Sequence, residues 1–465
     1  MPQVFDRDPR RRRDARAKEL GSQLALRHVA AIALTWVDNA GITRVKAVPT
    51  RRLTDAVAWG VGMSPVFDVF TVGDSITTST HIGGPVGDLR LFPDLDQVTV
   101  LAAQPGWAWA PVDRRTQEGE TYPACQRSFA RRMVGEAAGR GLDVRMAFEV
   151  EWFVGRDAED GGDERDRAVE PACKGPAYGM TRVIELSNYA HDLLDALAAE
   201  DVPVEQFHPE YAPGQLELSV SAADPVTAAD RLVLVRQTIH AVSQTYGWRA
   251  SFAPVVEAAG VGNGSHLHLS AWADGANLFA GGSGPYGLTG RAESLVAELL
   301  DRLPALCAIG APSAASYLRL VPQHWAGPYQ CWGRENREAG IRLITGTTGS
   351  EHTAANVELK CIDGSANPYL VVGTVLAVAL AGIDRGRRLP SEMRVDPATV
   401  PPADRPPRLP QSALEAMSHL EADEILATAL GEPLLHAFLA VHRAEMELFA
   451  DATPAEIVAA TRWAY

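Results

Sequence analysis

The sequence predicts an α+β protein in two parts: a small β-rich N-terminal unit, then a larger domain in which helices and strands alternate. Three observations predict it. With 465 residues, the chain is long for one hydrophobic core and suggests two domains. Residues 30–50 hold two strand-like runs on either side of the turn Asp38-Asn39-Ala40-Gly41, the pattern of a hairpin. From residue 125 onward, helix-like stretches alternate with short, apolar, strand-like runs.

Taken in order, the first twenty residues are polar, and the basic run 10–13 has no apolar stretch behind it, so they predict a solvated, mobile tail and not a secretory signal. Strands are expected over 31–37 and 42–48, joined at Asp38-Asn39-Ala40-Gly41 and closed by Pro49. A further strand-like run, 98–103, follows Phe92-Pro93-Asp94, and the unit ends near Pro111. Residues 113–123 read as the connection to the larger domain. There the expected elements are a helix over 125–139, a strand over 144–154 and a helix over 181–199. Strands near 203–208 and 215–220 and a helix over 224–246 follow. The Gly/Asp-rich stretch 157–167 and the Pro-rich stretch 397–410 read as loops. The apolar run 369–383 is too short to span a bilayer and predicts a buried helix entered through Asn367-Pro368. Residues 412–449 are strongly helical in pattern, and no internal repeat is visible.

A net charge of −15 argues against a nucleic-acid groove or an anionic membrane as partner. The five cysteines (Cys125, Cys173, Cys307, Cys331, Cys361) are odd in number and lack metal spacing. They read as reduced thiols of a cytoplasmic protein.

The most informative segment is Met146-Ala-Phe-Glu149-Val-Glu151-Trp-Phe-Val154. Residues two apart in a strand share a face, so Glu149 and Glu151 would stand side by side in apolar surroundings. Such carboxylates repel each other and are costly to bury unless a cation or partner compensates them. Paired carboxylates are what hard divalent cations such as Mg²⁺ or Mn²⁺ require. The plainer reading is a half-exposed strand with two solvated glutamates. Three further segments bear on the choice. In Glu210-Tyr-Ala-Pro-Gly-Gln-Leu-Glu217, the Pro-Gly turn can set two glutamates across a hairpin. In Gly262-Asn-Gly-Ser-His266-Leu-His268-Leu-Ser270, the histidines and Ser270 share a strand face. In Asn356-Val-Glu358-Leu-Lys360, a glutamate and a lysine do. Each alone is explained by a turn, a core histidine or a surface ion pair, but so many on strand faces of one domain favour the metal.

In order and spacing these segments, with Ser316-Tyr-Leu-Arg319-Leu, Asn336-Arg337-Glu-Ala-Gly-Ile-Arg342 and Ala366-Asn-Pro-Tyr369, resemble the glutamine synthetase family over nearly the whole chain. The resemblance extends to the N-terminal Val37-Asp-Asn-Ala-Gly41, Lys46-Ala-Val-Pro49 and Asp88-Leu-Arg-Leu-Phe-Pro-Asp94. After the tail over 1–20, it implies a β-grasp domain over 21–112, and over 113–465 a catalytic α/β domain with a curved antiparallel sheet. It also implies two Mg²⁺ or Mn²⁺ ions per active site. Glu151, Glu210 and Glu217 match the ligands of the metal that holds the substrate carboxylate; Glu149, His266 and Glu358 match those of the metal on the ATP phosphates. Glu205, His268 and Ser270 match nucleotide contacts, Gly262 and Arg319 glutamate contacts, and Arg337 and Arg342 the transferred phosphate. The implied chemistry is attack of the glutamate γ-carboxylate on ATP, followed by displacement of phosphate by an amine. Catalytic positions on this reading are Arg319 and Arg337. The implied assembly is a homo-oligomer, a dodecamer of two stacked six-membered rings.

The departures point to the amine. Trp325 stands where the family carries an acid in a flap, and Lys360 replaces a glutamate-binding arginine. The Asp-Gly-Ser-Ser signature for ammonium is not visible, which leaves Asp74 and Asp88 as candidates to take the amine's proton. No tyrosine lies in 393–407, so the family's adenylylation site is absent. Replacing an acid by Trp removes charge and adds an apolar wall, which suits an alkyl-bearing amine. The expectation is therefore a glutamate–amine ligase acting on a polyamine, ethanolamine or another small primary amine. The alternatives are a true glutamine synthetase using ammonium and a non-catalytic structural paralogue. The latter predicts eroded metal ligands, which this chain does not have.

Overall fold

The computed structural model describes residues 9–84, 86–158 and 168–465. The N-terminal sheet contains β1 (Ala31–Val37), β2 (Thr43–Pro49), β3 (Val61–Met63), β4 (Leu89–Pro93), β5 (Thr99–Val100) and β6 (Trp107–Arg115) in the order β2-β1-β6-β4-β3, with β5 also on β6. The expected hairpin is present, with Ala31 opposite Pro49 and Val37 opposite Thr43. β6 lies parallel to β1 and antiparallel to β4 and continues to Arg115. The expected division at 112/113 therefore falls inside a strand.

The N-terminus differs from expectation. Pro9–Leu26 is a helix, and Ala17 and Leu24, with the partly buried Leu20, join the core of the N-terminal sheet. Their spacing places them on one helix face, so residues 9–20 are not a free tail. Residues 1–8 lie outside the described residues, as do 159–167 of the expected loop.

The larger domain is built on a second sheet with the path β14-β15-β16-β12-β7-β10-β9. Its central strands are β7 (Asp143–Asp157), β9 (Val204–Pro209), β10 (Gln215–Val220) and β12 (Leu267–Ala273). β14 (Tyr329–Arg334), β15 (Ala339–Ile344) and β16 (Asn356–Leu359) complete one side; β8 (Val169–Pro171) and β11 (Arg249–Ser251) pair with β7, and β13 (Ala276–Asn277) with β12. Along β7, Val144, Met146, Phe148, Val150 and Trp152 are buried on one face. Trp152 there donates its indole N–H to Tyr189 on the helix Ser187–Ala199, at 3.2 Å. Glu149 and Glu151 stand on the opposite, open face. Helices cover one side of the sheet, and the carboxylates have the other.

The apolar run forms the core helix Pro368–Arg385. Its mean hydropathy of 1.4 is that of a membrane span, but 78% of it lies inside the protein, so its apolar surface is already covered. Asn367 caps it by accepting from the amides of Tyr369 and Leu370, and donates its own Nδ2 to the carbonyls of Val37 and Asp38. One residue thus starts the helix and ties it to the first domain. Arg127 also joins the domains, bridging Asp94, Asp113 and Asp230 at 2.7–2.9 Å. The expected helix over 181–199 is two, Met180–Glu185 and Ser187–Ala199, and the segment after residue 412 is three, Ala413–Ala422, Glu424–Leu430 and Glu432–Leu448. All five cysteines are buried free thiols.

Candidate active site

Strand register assembles the site. Glu151 on β7 is the register partner of Glu217 on β10, and Glu217 is the partner of His208 on β9. A row of three ligand-type side chains therefore crosses three neighbouring strands. A second row runs from Arg342 on β15 through Glu358 on β16 to His268 on β12. The turn that returns the chain from β9 to β10 places Glu210 beside the first row. It needs Gly214, whose φ is +72° and whose missing Cβ would lie 2.8 Å from the Val154 carbonyl.

Two groups of ligand atoms form, each within 4.8 Å: Glu149, His266 and Glu358, and His208, Glu210 and Glu217. In the first, His266 Nδ1 lies 2.8 Å from Glu149 and 3.2 Å from Glu358. His268 holds the other oxygen of Glu149 at 3.1 Å, and Asn356 orients its ring. Glu358 also accepts from Lys360 at 2.9 Å and Arg342 at 3.2 Å. Burial opposes charge on Glu149 and Glu358, but these cationic partners outweigh it and hold both carboxyls well below the usual range. Burial likewise opposes protonation of His268, yet the hydrogen bond to Glu149 raises it to about 9.

The second group is under-compensated. Burial, then the charge of Glu151, pushes the Glu210 carboxyl up to about 7, although Tyr178 donates to it at 2.8 Å. Burial also raises Glu151, with Glu217 adding to the shift. His208, held at about 9 chiefly by its hydrogen bond to Glu217, supplies only part of the missing positive charge. Crowded carboxylates with raised affinity for protons are what a divalent cation would relieve. The donor set, carboxylate oxygens with an imidazole at the edge, fits Mg²⁺ or Mn²⁺.

Glu149, Glu151, His208, Glu210, Glu217 and His266 line a cavity of about 520 Å³; Glu358 and His268 are not on its wall but contact it through His266 and Glu149. Gly262, Arg319, Trp325, Arg337, Arg342 and Lys360 also line it. Arg319 is 3% exposed, donates to His266 at 2.9 Å, and leaves its buried Nη1 without a partner, available to an anionic ligand. Gly264 lets these groups converge: a Cβ there would lie 2.5 Å from His266 Nε2 and 2.7 Å from Glu151.

Several expected residues do not reach the cavity. Glu205 falls where the pairing of β9 with β10 is irregular, and its carboxylate accepts from Ser221. Ser270 accepts from the Trp272 indole at 3.0 Å, farther along β12. Asp74 is exposed and paired with Arg44 at 2.6 Å, while Asp88 accepts from Gln117 at 2.7 Å. Neither lines the cavity of its own chain. Conversely, Tyr178, His208, Tyr211 and His324 line the site in addition to the residues the sequence predicts. His208 carried a signal, a histidine near the end of a strand-like run and two residues before Glu210.

Known proteins give the same picture. Residues 18–118 match the glutamine synthetase N-terminal domain, and residues 123–459 the glutamine synthetase catalytic domain. The chain is 53% identical to the gamma-glutamylpolyamine synthetase GlnA3 of Streptomyces coelicolor, over 97% of both chains. It is 25% identical to a gamma-glutamylanilide synthase of an Acinetobacter species, over 93% of this chain and 91% of the relative. A crystal structure of a glutamine synthase homolog superposes with a TM-score of 0.83 at 32% identity, covering 94% of this chain and 99% of that one. A GmaS/ADP complex superposes with a TM-score of 0.81 at 26% identity, covering 93% and 97%. With both domains matched in order and the ligand groups intact, the chain belongs to the glutamine synthetase family.

Proposed function

We propose that this enzyme joins the γ-carboxylate of glutamate to a primary amine at the expense of ATP, and that the amine is a di- or polyamine. Trp325 carries the reading. Its indole is 44% exposed at the cavity, tilted against the Tyr211 ring at 5.3 Å, where an ammonium-specific site needs negative charge. Two aromatic faces accept methylene groups and, by cation–π attraction, further ammonium groups. The similarity to a gamma-glutamylpolyamine synthetase supports the choice of amine.

In this reading Glu151, Glu210 and Glu217, with His208 beside them, would hold one divalent cation, and Glu149, His266 and Glu358 a second, which would offset the charge of the glutamate carboxylate and the ATP phosphates. Arg319 and Gly262 orient glutamate. Arg337 and Arg342 receive the phosphoryl group as its charge spreads. The amine then displaces phosphate from γ-glutamyl phosphate. Neither Asp74 nor Asp88 can take its proton within one chain, so either would act from a neighbouring subunit of a ring. We place the enzyme in the cytoplasm, as its reduced thiols suggest.

The test is identification of the product. Enzyme with glutamate, ATP, Mg²⁺ and a diamine should give a mono-γ-glutamyl diamine by mass spectrometry, with one phosphate released per product. Phosphate release that ignores the amine, or yields only glutamine, would refute the assignment.

A further inference from the structure

The flap between Leu320 and Pro328 is fastened at its stem and at its tip. At the stem, Arg408 donates to the carbonyls of Leu320, at 2.9 Å, and Pro328, at 3.1 Å. At the tip, Gln323 and Trp325 both take left-handed backbone conformations, with φ of 65° and 55°. Residues with side chains adopt that region only when something holds them there. Here one carboxylate does so: Glu338 accepts the amide of Gln323 at 3.1 Å and that of Trp325 at 2.7 Å, one on each oxygen. Glu338 is only 9% exposed and is itself braced, its amide donating to Asn336, which is pinned to the carbonyls of Met393 and Val395.

The held conformation turns His324 and Trp325 to the cavity, with the Trp325 ring against Tyr211. Tyr211 in turn donates its amide to Glu210 at 3.0 Å. A continuous set of contacts therefore runs from Glu338 through the flap to the carboxylate group.

We infer that Glu338 is the positioning residue for amine specificity: by bridging the amides of Gln323 and Trp325 it presets the flap so that Trp325 and Tyr211 form the wall for the amine's alkyl chain. This rests on the reading that the amine enters beside Trp325. A glutamine at 338 can accept only one of the two amides, because its NH₂ would face the other donor. Bonds to a charged acceptor are also the stronger kind.

Glu338→Ala and Glu338→Gln test the inference in the full-length enzyme. Glu338→Ala should raise KM for an alkyl diamine by about tenfold or more while KM for glutamate and ATP stays within about twofold. Turnover with hydroxylamine, which has no alkyl chain, should persist. Glu338→Gln should fall between wild type and Glu338→Ala. Amide hydrogen exchange across residues 320–328 should quicken by about tenfold in Glu338→Ala without a matching change elsewhere. Equal losses with every substrate, or unchanged exchange in the flap, would overturn the inference. A wild-type enzyme that uses no alkylamine would refute the proposed function instead, and the exchange comparison would still decide whether Glu338 is the clamp.

Discussion

Glu210→Gln removes one charge from the under-compensated carboxylate group while keeping nearly the same shape. Its effect should reverse with Mg²⁺. The folded protein holds the Glu210 carboxyl at about 7, above its ordinary 4.5. For a raised carboxyl, the charged form is the disfavoured one. The penalty is absent below 4.5, grows as pH rises through the interval, and is complete above about 7. That interval corresponds to about 3 kcal/mol, reduced to about 2 kcal/mol because the side chain, 13% exposed, keeps some hydration. Metal-free Glu210→Gln should therefore be more stable than wild type at pH 8, by about 2 kcal/mol. At an unfolding entropy of about 1 kcal/mol per degree for a chain of this length, this raises Tm by about 2 °C. Near pH 4.5 the two should melt together. With Mg²⁺ at about a hundred times its Kd, wild type should gain about 2.7 kcal/mol, and the variant much less. Calorimetry at pH 4.5 and 8, at fixed protein concentration with EDTA or Mg²⁺, measures all of this. A variant less stable than wild type without metal at pH 8, or one with the wild-type Mg²⁺ shift, would refute the reasoning.

Trp325→Glu should move kcat/KM from alkylamine toward ammonium by roughly tenfold to a hundredfold, since it removes apolar wall and restores an anion; a steady-state comparison of the two nucleophiles checks it. In light scattering the active enzyme should be a closed ring or stacked rings of 49.9 kDa chains, and an active monomer would contradict the supply of Asp74 or Asp88 by a neighbour. Arg127→Met should leave the buried Asp230 without its cation, while Arg131 still pairs with Asp94 and Asp113, and cost about 3 kcal/mol in urea unfolding.

Much of this site was legible because its ligands sit on strands with strict alternation. Glu149 and Glu151 could be assigned to one face, and so could His266 and His268, without knowledge of the fold. Register was not legible, and it made the difference at His208: only the pairing of β9 with β10 sets that imidazole opposite Glu217. The same pairing, irregular beside Ser219, accounts for Glu205, whose alternation predicted nothing useful. The N-terminal helix was masked by its arginines, although Ala17, Leu20 and Leu24 kept a helical spacing. Trp325 could be singled out as a departure, but its ring partner Tyr211 lies far away in sequence, and the bridge from Glu338 depends on a flap conformation that no residue pattern announces.

In the proposed reaction an alkyl amine, not ammonium, is the nucleophile. Glutamate- and ATP-dependent phosphate release measured against a panel of ammonium, ethanolamine, monoamines and polyamines tests it most directly. The kcat/KM of at least one di- or polyamine should exceed that of ammonium by roughly tenfold or more, as one apolar wall can provide. Ammonium serving as well as every amine tested would contradict it and make the enzyme a glutamine synthetase.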